Sequence, residues 1–119
     1  IPDPRSKEIQ TLQIEGWSIG MIHILGPNSQ SVSDIQQMFP QPVDIVISGH
    51  THYEHLEYRE GIVFLNSGSI TFPRHKDLRL GTVGLLVVTT TKVQAQIICL
   101  GETDGKPNPG TEITLTAQR

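Results

Sequence analysis

With 119 residues, 36% of them hydrophobic and 18% charged, the chain is sized for one globular domain, and no apolar run approaches the roughly 20 residues of a membrane span. Its 9 Lys+Arg against 12 Asp+Glu leave a net charge of −3, which argues against a nucleic-acid binder with a basic face but leaves open a small phosphorylated substrate held by a metal. Cys99 is the only cysteine, so no internal disulfide is possible, and no secretory pattern follows Ile1; a cytoplasmic setting is expected.

Ile1–Ser6 carries two prolines and reads as a linker. Thr11–Glu15 alternates as a short strand, and Gly16 signals a turn. Trp17–His23 reads as a second strand, with Trp17, Ile19 and Met21 on one face. Gly26-Pro27-Asn28 opens a loop. Ser31–Phe39 is the helix candidate: Ser31 can cap it, and Val32, Ile35 and Phe39 share one helical face. Pro40 and Pro42 stop it. Val43–Ser48 is apolar except for Asp44, the mark of a strand buried on both faces. Tyr53–Arg59 and Ile62–Leu65 flank Glu60-Gly61 as a hairpin, and Asn66–Ser69 reads as a tight polar loop. Thr82–Thr90 and Lys92–Leu100 form another hairpin. Gly101–Gly110 is a loop, and Thr111–Ala117 alternates as an edge strand. A helix followed by a buried strand indicates an α/β fold, here rich in β-structure.

Five histidines are present: His23, His50, His52, His55 and His75. Gly49-His50-Thr51-His52 follows a buried strand directly. It therefore lies at the strand's carboxyl end, where open α/β sheets place their sites. His50 and His52, two residues apart, share a side if the loop is extended, and converging imidazoles suit transition metals. The alternative is a polar loop with two incidental histidines. His23 ends its own strand; if that strand runs beside Val43–Ser48, all three imidazoles meet at one sheet edge. His55 alternates with charged residues and is expected to face solvent. Cys99 follows Ile97-Ile98 and is expected to pack as a small hydrophobe.

Order and spacing carry a resemblance. Asp44-Ile-Val-Ile-Ser-Gly49-His50-Thr51-His52, then Gly61-Ile-Val-Phe-Leu-Asn66-Ser67-Gly68-Ser69, then Pro73-Arg74, resembles the C-terminal half of calcineurin-like metallophosphoesterases. The small bacterial and archaeal phosphodiesterase branch is the nearest likeness. Gly16-Trp-Ser-Ile-Gly-Met-Ile-His23 is similar to that branch's strand ending in a metal-binding histidine. The likeness covers about residues 10–100, so residues 1–119 read as a partial domain.

The resemblance implies the C-terminal half of an α-β-β-α sandwich and a phosphate mono- or diesterase. It implies two divalent transition metals (Mn, Fe, Ni or Zn), with His23 and His50 on one ion and His52 on the other. Water activated between the ions would attack phosphorus in line. Asp44 and Asn66 are candidates to orient the imidazoles, and Arg74 and His75 to contact substrate. Ile24 stands where the family has glycine after the first histidine, and Ser67 replaces its proline. None of Asp3, Asp34, Asp44, Asp77 and Asp104 lies in Asp-x-His or Gly-Asp, and there is no Gly-Asn. Three neutral imidazoles cannot bridge two dications as a carboxylate does. A fragment of a longer enzyme is therefore expected. Self-association, or a partner chain supplying the other half, would cover its open sheet faces. The rival reading is a non-catalytic protein-binding module on the same fold.

Overall fold

The computed structural model describes residues 9–24, 31–49, 54–69, 81–101, 105, 108 and 112–118. Eight strands, β1 (Ile9–Ile14), β2 (Trp17–Ile24), β3 (Ile45–Gly49), β4 (Glu54–Arg59), β5 (Ile62–Ser67), β6 (Thr82–Val88), β7 (Lys92–Cys99) and β8 (Ile113–Gln118), accompany one helix, α1 (Val32–Gln36). They form a five-stranded sheet of order β1-β2-β3-β5-β4 and a three-stranded sheet of order β6-β7-β8. β2, β3 and β5 run parallel; β1 and β4 close the edges antiparallel.

Two cores follow from the period-2 alternation of the central strands. Trp17, Ile19, Ile45, Val63 and Leu65 face the three-stranded sheet and pack on Val93, Ala95, Ile97 and Ala117. Val46, Ile62 and Phe64 face the other way, onto Ile35 and Phe39. Ile45 and Val46 are both fully buried, as the run through Val43–Ser48 required. The indole Nε1 of Trp17 donates to the Thr89 carbonyl at 2.7 Å and so ties the two sheets together.

Glu15-Gly16 and Glu60-Gly61 each have positive φ at both positions (51° and 80°, 50° and 85°), the two-residue turn that matches strand twist. α1 is shorter than the expected Ser31–Phe39. Ser31 caps it as expected, its Oγ accepting from Asp34 N. After Gln36 the backbone tightens: Met38 N donates to Ile35 O and Phe39 N to Gln36 O. The Gln36 amide clamps the returning chain, donating to Val43 O and accepting from Val43 N, both at 3.1 Å. Phe39 still reaches the core because β2 has Gly20 beneath it; a Cβ there would lie 2.6 Å from the Phe39 ring.

Three layers of the expected sandwich are thus in place: helix, sheet, sheet. Among the described residues of the five-stranded sheet the expected open face is found at β1, where Leu12 and Ile14 stay exposed beside Ile19 and Trp17. The central strands are covered on both sides, and large exposed apolar side chains among the described residues are Leu12, Ile14, Tyr58, Leu85 and Val87. No helix among them is long and apolar enough to cross a membrane.

Candidate functional site

The parallel strands β2, β3 and β5 bring their carboxyl ends to one edge of the sheet. His23 stands there, and the register explains how. Ile22 pairs with Ser48 and Ile24 with Gly49, so His23 is the extra residue of a bulge. Bulges break the alternation that would place His23 with Trp17, Ile19 and Met21, and they are common beside active sites. His23 is exposed, and its backbone oxygen would lie 3.8 Å from a Cβ on Gly49. The end of β2 and the start of the Gly49–His52 segment therefore meet. His50 and His52 lie outside the described residues, as do Arg74 and His75. Among the described residues no group of three or more His, Cys, Asp or Glu gathers as a metal site. His23 is thus an exposed residue whose backbone meets Gly49, and a histidine is the nitrogen donor type that a transition metal takes.

Asn66 belongs to the same edge. It is buried at the end of β5, not in a loop as the sequence reading had it. Its Nδ2 donates to the Gly49 carbonyl at 3.3 Å, and its Oδ1 accepts from Gly68 N at 3.0 Å. Asn66 thereby holds the residue that leaves β3. Gly68 has φ +74°, and a Cβ on it would collide with Thr82 Oγ1. Thr82 is the residue that sequence reasoning missed. It is buried, its Oγ1 donates to Ser67 O at 2.7 Å, and its backbone N donates to Ser69 O at 3.0 Å. The Asn66–Ser69 turn is thus anchored to the second sheet.

Asp44 is a correction. Its Oδ2 accepts from Ser18 N at 2.8 Å, and its backbone N donates to Ser18 O at 2.8 Å. These bonds clasp the starts of β2 and β3, about 16 Å of extended strand from Gly49. Asp44 therefore cannot orient an imidazole at the carboxyl edge. Asp44→Ala should lower stability by about 2 kcal/mol, the range for a hydrogen bond to a charged group. It should leave metal binding unchanged; a loss of bound metal in a folded variant would reinstate the original assignment.

His55 also departs from expectation. It opposes Asn66 across β4 and β5 and is half-buried, with Nε2 3.2 Å from Glu57 Oε1. Arg59 continues the row, its guanidinium 5.1 Å from the Phe64 ring centroid. Cys99 is partly buried. Burial first, then Glu112 and Glu54, raise its thiol above the usual range, so it stays protonated at neutral pH.

Residues 3–92 match the family model of the calcineurin-like phosphoesterase superfamily domain. The chain belongs to that family. A probable metallophosphoesterase of Methanothermobacter thermautotrophicus is 34% identical over 105 residues, covering 85% of this chain and 56% of the relative. Vacuolar protein sorting 29 of Cryptosporidium parvum superposes with a TM-score of 0.72 at 26% identity, covering 100% of this chain and 63% of that one. Vps29 of Entamoeba histolytica, solved in complex with zinc, shares the fold at TM-score 0.66 and 24% identity, covering 93% of this chain and 60% of that one. The chain thus spans little more than half of the curated relative and under two thirds of each structural one.

Proposed function

We propose that the chain supplies the C-terminal share of a metal-dependent phosphoesterase acting on small phosphate mono- or diesters. The observation that supports this most is the meeting of His23 and Gly49 at the carboxyl edge of β2, β3 and β5. His23 and His50 would hold one divalent cation and His52 a second, drawn from Mn, Fe, Ni and Zn. Such ions, when bound, supply water of lowered pKa and positive charge for the phosphoryl group. The chain's own residues do the positioning. Asn66 fixes the carbonyl from which the His50–His52 segment departs, while Arg74 and His75 would meet phosphate oxygens. Vps29 of Entamoeba histolytica, which shares the fold, was solved in complex with zinc, which supports a divalent ion in this reading. Neutral imidazoles carry no charge to bridge two ions, so on this reading the bridging carboxylates would come from polypeptide outside this sequence.

A polypeptide joining this chain to Asp-x-His, Gly-Asp and Gly-Asn segments should hydrolyse bis-p-nitrophenyl phosphate with Mn²⁺ or Ni²⁺. Chelation should abolish the activity; turnover unchanged after thorough metal removal would overturn the reading. One observation favours a second reading, a non-catalytic protein-binding module: the likeness to vacuolar protein sorting 29, at a TM-score of 0.72 and 26% identity. Under it, the joined polypeptide would fold yet stay at background turnover with every ion.

A further inference from the structure

The Asn66–Ser69 turn is held from the second sheet by two residues of β6. Thr82 Oγ1 donates to Ser67 O at 2.7 Å and Thr82 N to Ser69 O at 3.0 Å, so one residue binds the turn on both sides of Gly68. Two positions on, a Cβ at Gly84 would lie 3.2 Å from Ser67 Cβ and 3.5 Å from Leu65 Cδ1. Strand alternation puts Thr82, Gly84, Leu86 and Val88 on one face, and Leu86 and Val88 pack on the core between the sheets. Glycine at 84 therefore lets β6 close on the end of β5 far enough for the Thr82 hydroxyl to reach its acceptor. Thr82 is itself fixed. It opposes Cys99 across β6 and β7, and the preceding carbonyl, Gly81 O, accepts from Leu100 N at 3.0 Å and from Asn108 Nδ2 at 2.8 Å.

We propose that Thr82 and Gly84 are positioning residues for the metal edge, acting through Asn66. They set the Asn66–Ser69 turn, the turn aligns Asn66 by the bond from Gly68 N to its Oδ1, and Asn66 Nδ2 holds the Gly49 carbonyl. The β3–β5 ladder pairs Ser48 with Asn66 last, so the Asn66 side chain takes over where the backbone ladder ends. The path thus runs from the second sheet to the residue that His50 follows directly. A loop histidine binds an ion tightly where its backbone is already held, because ordering a loose loop on binding costs affinity. The proposal rests on the metal-dependent reading of this edge and adds to it a role for the second sheet.

Zn²⁺ binding to the joined polypeptide, measured by competition with a chromophoric chelator, tests it. Thr82→Val keeps the volume and removes the hydroxyl; it should weaken Zn²⁺ binding about tenfold, the low end for residues that orient ligands. Thr82→Ser should restore the affinity. Gly84→Ala should act in the same direction by about threefold, and it carries the test if Thr82→Val does not fold. Trp17→Phe removes a different inter-sheet bond, the one to Thr89 O at the amino end of β2. It should lower the urea midpoint and leave Zn²⁺ affinity unchanged. A readout free of metal accompanies these: exchange of the Gly68 amide hydrogen should speed up in Thr82→Val and not in Trp17→Phe. An unsubstituted polypeptide without Zn²⁺ affinity overturns the metal reading and this proposal together. Normal binding there, with equal affinity in folded Thr82→Val and Gly84→Ala or with unchanged Gly68 exchange, overturns the positioning role alone.

Discussion

Replacing His50 or His52 by alanine, in a polypeptide carrying this chain and the carboxylate segments, should remove bound metal and cut turnover by two orders of magnitude or more. Each tenfold is about 1.4 kcal/mol in the barrier, so at least about 3 kcal/mol is at stake. That is reasonable where the ions both generate the nucleophile and offset phosphoryl charge. His23→Ala should behave like His50→Ala, because both are assigned to one ion and the bulge sets His23 beside Gly49. His55→Ala should cost less than about tenfold. Its ring is engaged with Glu57, so its loss should appear as a small change in unfolding midpoint instead. Metal analysis, turnover and denaturation on the four variants separate these effects. Full occupancy and activity in His50→Ala would refute the assignment. A large loss in His55→Ala alone would mean that the wrong histidines were paired.

What the sequence made legible was local. Gly16 and Glu60-Gly61 announced turns because positive φ favours glycine there, although Glu15, read as the end of the strand, belongs to the first turn. Trp17, Ile19 and Met21 announced a buried face, and Val43–Ser48 a strand enclosed on both sides. The edge position of the last strand was also readable. What escaped depends on partners far along the chain. Asp44 looked like a candidate beside the histidines, but its partner is Ser18, 26 residues away, at the wrong end of the strand. The helix ended early because Gln36 grips Val43, a bond no periodicity announces. His55 read as solvent-facing because charged residues alternate around it. Its surroundings come from β5, whose Asn66 and Phe64 lie opposite that row. The bulge at His23 likewise has no local signature, since alternation alone would carry the strand through unbroken.

Gly68→Ala should be the most damaging single-methyl change at the candidate edge, and two separate causes can be told apart. The first is backbone strain: φ +74° costs an L-residue about 1–2 kcal/mol. The second is steric: the new Cβ would collide with Thr82 Oγ1 and sit 3.3 Å from Glu54 Cβ. Overpacking of that kind typically costs about 1–3 kcal/mol. Gly61 isolates the first cause, because its φ is +85° and nothing lies within 4 Å of the Cβ position. Gly61→Ala should therefore lose only the strain component, and Gly68→Ala about 2 kcal/mol more, read as a larger fall in urea midpoint. Thr82 cannot yield cheaply, because it is buried and its hydroxyl already donates to Ser67 O. Combining Gly68→Ala with Thr82→Ala should recover part of the steric loss, a coupling that two independent sites would not show. The damage should also reach the site. Gly68 N donates to Asn66 Oδ1, and Asn66 Nδ2 holds the Gly49 carbonyl, so a displaced turn frees the residue from which the His50–His52 segment departs. Gly68→Ala should thus weaken metal binding in the joined polypeptide, while Gly61→Ala, at the far end of β5, should leave it intact. Equal losses in the two variants would show that the turn is not anchored through Thr82, and the chain of contacts from β6 to Gly49 would fall with it.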